Sequence, residues 1–277
     1  MTDQTFALSS GRLLGVTTLG DPFSSRIVVL CHPMPGASGF DPNPLITRRA
    51  NVRVITFDRP GYGSSEPLGE DDSRQVQARA DDIAEYLRSE RTKIEQVHGT
   101  EFGVVGWGFG GAVALSLAAR HPSLIDRVAV VGLAVHVLRS AQDKPLPAVV
   151  DRPPEPPTFD WDALGVVSDD TVLELPGLAL RLDHMLAQAA TQGTVGVETD
   201  SAAIRDLSWT DELESIDAST VLIYGDEDRV TGKASGPWLR RRISHARVVR
   251  VPKAGGLAIV NVWRRILEHV APQEEAK

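Results

Sequence analysis

Residues 103–111 read GVVGWGFGG: a short β-branched run, Gly103 to Val105, then a turn in which four of six positions, Gly106 to Gly111, are glycine. The segment that follows, Gly110 to Arg120 (GGAVALSLAAR), is small and apolar almost throughout, the pattern of a helix buried under a sheet. Similar apolar runs recur outward in both directions, at Ile27 to Leu30, Val52 to Phe57, Val128 to Gly132, Thr220 to Gly225 and Val248 to Val251. Strands buried on both faces read as continuous apolar runs rather than as alternations, and their alternation with helical stretches predicts a parallel sheet.

The helices between the strands are equally periodic. Asp72 and Ser73 offer an N-cap for a helix running to Ile94, with Val76, Ala80, Ile83 and Leu87 on one face. Leu257 to Val270 closes the chain amphipathically. Between Ala134 and Thr220 the rhythm changes: residues 144–157 are proline-rich (KPLPAVVDRPPEPP), and Leu173 to Ala190 then returns to helical spacing. The expectation is an α/β core over 1–133 and 213–277, with a helical cap over 134–212 covering the sheet's carboxyl edge.

Composition narrows the function. With 277 residues, 42% hydrophobic and 24% charged, the chain matches an ordinary globular protein. A net charge of −8 without a basic stripe argues against nucleic acid and against anionic membranes, and favours a small neutral or cationic ligand. The opening MTDQTFALSS lacks the apolar core of a secretion signal, and no run of roughly 18 apolar residues follows, so a cytoplasmic protein is expected. Cys31 stands alone, and the seven histidines (32, 98, 121, 136, 184, 245, 269) show no ligand-like pairing. No metal and no cofactor is expected; a homodimer is left open.

Four segments carry a resemblance. They are CHPMPGAS (31–38), DRPGYGSS (58–65), GWGFGG (106–111), and the pair Gly225-Asp226-Glu227-Asp228 and Lys253-Ala254-Gly255-Gly256-Leu257. In this order the chain resembles the α/β-hydrolase superfamily: its H-G-x-P-G loop (with Pro33 for glycine), its D-x-x-G-x-G-x-S turn, its nucleophile elbow G-x-S-x-G, and the turns bearing its acid and histidine. The resemblance implies an α/β fold, a mostly parallel central sheet with helices on both faces and a helical cap insertion.

It also implies where chemistry would sit. The serine position holds Gly108 and the histidine position Gly256, and glycine neither attacks a carbonyl nor shuttles a proton. Asp228 survives as the acid, a candidate general base or else a turn-stabilising carboxylate. The backbone amides of Met34 and Phe109 are implied as an oxyanion hole. His32, Trp107, Gly108, His136 and Gly256 are the expected substrate-binding positions, the two glycines leaving extra room for a bulky ligand. The bland readings put His32 in loop bracing and Trp107 in the core, while Ser64 and Ser65 hold their turn. From this, the expected function is cofactor-independent, non-hydrolytic chemistry (elimination, cyclisation, isomerisation or decarboxylation) on a small hydrophobic metabolite. A catalytically silent ligand- or partner-binding protein is the second reading. Hydrolysis through a displaced nucleophile or activated water is the third.

Overall fold

A computed structural model describes residues 2–94, 102–135, 157–166, 170–231 and 234–273. Eight strands form one sheet: β1 (Thr2–Ala7), β2 (Leu13–Gly20), β3 (Ile27–Cys31), β4 (Arg53–Phe57), β5 (Phe102–Trp107), β6 (Ile125–Val131), β7 (Ser219–Gly225) and β8 (Ala246–Val251). Their order is β1-β2-β4-β3-β5-β6-β7-β8. The first two pairings are antiparallel and the rest parallel. The mostly parallel α/β sheet expected from the apolar runs is therefore present. The hairpin β1–β2 was not anticipated, because β1 (TDQTFA) is an exposed edge strand with no apolar face to reveal it.

Alternate residues of the central strands feed two cores. Val29 and Val104 pack in one with helices α2 (Val76–Ile94) and α3 (Gly110–Arg120); Val28 and Val105 pack in the other with α7 (Ala258–Asn261) and α8 (Trp263–Val270). Burial on both faces is the reason these strands read as continuous apolar runs. Helix α1 (Pro44–Ala50) starts at Asn43, whose side chain accepts from the Ile46 amide, and ends at Asn51 in the left-handed region.

Several expected boundaries move. Helix α2 begins at Val76, and Ser73 Oγ instead accepts from the Gln75 amide in the preceding turn. The stretch 173–190 divides at Pro176-Gly177 into a 3₁₀ turn, Thr171–Glu174, and α4 (Leu178–Ala189). The final helix divides at Val262. Among described residues between β6 and β7 there are also a 3₁₀ turn Trp161–Leu164, α5 (Val195–Ala203) and a 3₁₀ segment Ser208–Ser215; α6 (Ser235–Arg240) follows β7. No helix among the described residues is long and apolar enough to cross a membrane.

The strand order places the site. From β3 the chain crosses to β4 on one side and then to β5 on the other, so β3 and β5 flank the point where the direction of winding reverses. At such a point the loops leaving the carboxyl ends diverge and a crevice opens between them. The loop after β3 and the turn after β5 meet there.

Candidate active site

The turn after β5 is built by close approach. A Cβ on Gly106 would lie 2.4 Å from the Gly110 carbonyl oxygen, and one on Gly110 would lie 2.3 Å from that of Cys31. Gly108 is glycine for a different reason. Its φ is +55°, where L side chains are strained, yet a Cβ would meet only Pro33, at 3.4 Å. A single methyl would therefore stand in ordinary contact with Pro33 without a clash. Its amide donates to the Val131 carbonyl (2.8 Å), tying the turn to the end of β6.

Opposite lies the loop His32-Pro33-Met34-Pro35, whose Met34–Pro35 peptide is cis. His32 Nδ1 donates to the Pro33 carbonyl (2.8 Å) and Nε2 accepts from the Arg59 amide (3.2 Å). With both ring nitrogens committed, His32 braces the loop, and its ring borders the small cavity beside Trp107. The Met34 and Phe109 amides, by contrast, donate to no described residue, and Phe109 sits at the N-terminus of α3.

Burial, and then the nearby Arg59 charge, hold the His32 pKa well below its usual value. The unfolded chain therefore binds a proton that the folded one refuses, and stability falls as pH drops below about 6.5. The loss is up to about 1.4 kcal/mol per pH unit until the folded pKa is reached. Urea unfolding at pH 7.5 and 5.5 should show this slope reduced in His32→Asn; an equal slope in both proteins would assign it to other groups, such as His269.

Asp228, after β7, accepts the Val230 and Thr231 amides through Oδ1 (2.8 and 3.1 Å). Its Oδ2 lies 3.6 Å from where a Gly132 Cβ would stand, and accepts no hydrogen bond from a described residue. Gly132 adjoins Val131, the residue that holds the Gly108 amide.

Gly256 overturns an expectation. A Cβ there would lie 2.4 Å from the Leu164 carbonyl oxygen and 2.8 Å from that of Gly165. The room anticipated for a bulky ligand is already filled by backbone of Leu164 and Gly165, in the segment between β6 and β7. The Gly256 carbonyl accepts from Trp107 Nε1 (3.2 Å), and the Trp107 ring packs on Phe40 with centroids 5.4 Å apart. Trp107 thus ties two turns together and walls a cavity of about 10 Å³ bounded also by Leu30, Pro33, Ala37, Phe40 and Met185.

Alternative nucleophiles are accounted for. Ser65 Oγ donates to the Asp58 carbonyl and accepts the Gly15 amide, and Ser64 Oγ donates to Asp58. Burial pushes the Cys31 thiol up to about 12. His184 is exposed, and His136 lies outside the described residues. No cluster of metal-ligating side chains occurs among the described residues. Sequence reasoning missed Asp170, whose Oδ2 comes within 3.4 Å of a Cβ position on Gly255; its signal was an aspartate before Thr171, where it caps a turn.

The sequence matches the alpha/beta hydrolase fold family over residues 26–261. It is similar to pimeloyl-[acyl-carrier protein] methyl ester esterases. The one from Neisseria meningitidis serogroup A is 28% identical over 210 residues, 73% of this chain and 61% of that protein. The one from Aeromonas hydrophila is 25% identical over 254 residues, 87% of this chain and 92% of that protein. The chain thus spans less than two thirds of the first relative's length. In fold it is similar to a hydrolase from Pseudomonas aeruginosa PA01 (TM-score 0.70, 20% identity, 96% and 97% of the two chains). It is also similar to an enol-lactonase from Burkholderia xenovorans LB400 (TM-score 0.68, 19% identity, 96% and 100%). The esterase relatives point to hydrolysis. They overturn the expectation of elimination, cyclisation, isomerisation or decarboxylation, and that of a catalytically silent binder.

Proposed function

Since the chain belongs to the alpha/beta hydrolase fold family, we propose that it hydrolyses a carboxylic ester with one short arm, water taking the place of a side-chain nucleophile. The positions the family gives to its serine and histidine are read as Gly108 and Gly256. The observation that carries the proposal is the pair of unengaged amides, Met34 and Phe109, on the two loops that meet where Pro33 faces Gly108.

In this reading the ester carbonyl oxygen sits between the two amides, which polarise the carbon and hold the charge that develops on oxygen. Water over Gly108 attacks. As its oxygen bonds to the carbonyl carbon, its proton passes to Asp228 Oδ2. Collapse of the tetrahedral anion breaks the bond to the alcohol oxygen, which recovers the proton from Asp228, leaving acid and alcohol. Without a serine and histidine the rate is modest, because oxyanion binding alone retains roughly 10³ to 10⁴ over water.

The cavity beside Trp107 sets the short arm. A volume of about 10 Å³ is close to the roughly 10–15 Å³ that one water requires, so it admits a methyl-sized end and little more. Met185, on α4, closes it. Two ester series test this, acetyl to octanoyl esters of p-nitrophenol and methyl to butyl esters of one acid. One series should fall steeply with length and Met185→Ala should flatten it; indifference to length in both contradicts the assignment.

A further inference from the structure

We propose that Asp200, on the insertion helix α5, is a positioning residue for the oxyanion loop, acting through Arg59, so that docking of the insertion and assembly of the hole are one event. The kinetic consequence rests on the hydrolytic reading above; the geometry does not.

Arg59 belongs to the DRPGYGSS turn and is buried. Its Nε and Nη2 form a fork on the Asp200 carboxylate, with contacts of 3.2, 2.9 and 2.7 Å. Nη1 donates to the His32 carbonyl at 2.6 Å, and Nη2 also donates to the Pro33 carbonyl at 2.8 Å. The second bond matters most. The Pro33 carbonyl and the Met34 amide are opposite ends of one planar trans peptide. A cation fixed on the carbonyl fixes the direction in which the amide points, and polarises the group so that its N–H is the stronger donor. The same guanidinium lies 5.2 Å from the centroid of Phe109, whose amide is the other donor of the hole. One side chain therefore touches both halves of the site.

What holds that side chain is the insertion. Asp200 is fully buried and separated from Arg59 by 141 positions in the chain. Its second cation, Arg79, approaches at 3.5 Å from Nε and otherwise donates to the Gln75 and Thr199 carbonyls. Among the described residues no hydrogen bond joins Arg79 to the oxyanion loop, so it shares the ion cluster without sharing the proposed role. Removing the Asp200 charge should loosen the fork and release the Pro33–Met34 peptide, while removing Arg79 should weaken the cluster alone.

The test compares the full-length wild type, Asp200→Asn and Arg79→Met, with Asp200→Glu as the charge-retaining variant, each assayed below its thermal transition. Two readouts are taken: the ¹H–¹⁵N shifts of the Met34 and Phe109 amides, and p-nitrophenyl acetate hydrolysis. Asp200→Asn should move both amide resonances and lower kcat roughly ten- to a hundred-fold, the scale of a misplaced catalytic group, with KM nearly unchanged. Arg79→Met should do neither, and Asp200→Glu should recover part of kcat. Unmoved amides in Asp200→Asn, or equal effects of Asp200→Asn and Arg79→Met, would overturn the proposal and leave Asp200 a plain anchor. If the wild type hydrolyses no ester, the hydrolytic reading fails while the amide shifts still decide the positioning. Should Asp200→Asn not fold, Arg59→Lys, which keeps the charge but loses the fork, takes its place, with the same shifts of the Met34 and Phe109 amides expected and unmoved amides overturning the proposal.

Discussion

Gly256→Ala is expected to lower stability by about 2–4 kcal/mol, a large effect for a single methyl group. The obstacle is backbone: the new Cβ would stand 2.4 Å from the Leu164 carbonyl oxygen, 2.8 Å from that of Gly165 and 2.9 Å from the Gly165 carbonyl carbon. Overpacking against flexible side chains costs about 1–3 kcal/mol, and main-chain atoms yield less readily. The turn Trp161–Leu164 would have to lift off the sheet edge. The same clash applies to histidine. Gly108→Ser combined with Gly256→His should therefore fail to rebuild a working triad, even though Gly108 has space for a side chain. Chemical denaturation and ester turnover check both statements. A double variant of wild-type stability with a hundred-fold gain in hydrolysis would mean that the insertion does not occupy this space in solution.

The second large effect is expected at Asp200. Asp200→Ala should cost about 3–5 kcal/mol, because it strands Arg59 and Arg79 as buried cations without their shared carboxylate. Asp81→Ala provides the contrast. Asp81 pairs with Arg120 and His121 where water reaches the pair, and exposed pairs contribute about 1 kcal/mol or less. Equal losses in the two variants, measured by urea unfolding, would show that the buried cluster takes up water and is not the closed network described here.

The legible parts of this molecule were those whose constraints are local. Strands β3 to β7 announced themselves because burial on both faces leaves little polar alternation, the edge strand β8 through its valines alone, and α3 because a helix under a sheet must be small. Gly106 and Gly110 were legible as part of the elbow motif, while the neighbouring backbone that excludes a side chain at each is visible only in the structure. The edge strand β1, its partner β2 (LLGVTTLG), whose glycines and threonines interrupt the apolar run, and the short helix α1 were missed.

At the site, the loop after β3 and the elbow could be found from sequence, but what acts on them could not. Asp200 reaches Arg59 across 141 positions, and Leu164 and Gly165 reach Gly256 across nearly a hundred. Contacts so distant leave no pattern in either segment. Reading Gly256 as vacated space was the error that followed: a missing side chain was taken for a missing volume, whereas the insertion's main chain had closed over it. The functional expectation failed for a related reason. Glycine at positions 108 and 256 was read as excluding ordinary hydrolysis, whereas the esterase relatives point to hydrolysis.

The most direct test is a pre-steady-state measurement of p-nitrophenyl acetate hydrolysis at high protein concentration against a buffer blank. Water acting directly on a carbonyl held by the Met34 and Phe109 amides predicts linear release of p-nitrophenol above the blank, with no stoichiometric burst and no acetylated protein by intact mass. A rate equal to the blank would contradict the hydrolytic account, and a burst matched to the protein concentration would reveal a side-chain nucleophile and contradict the role given to water.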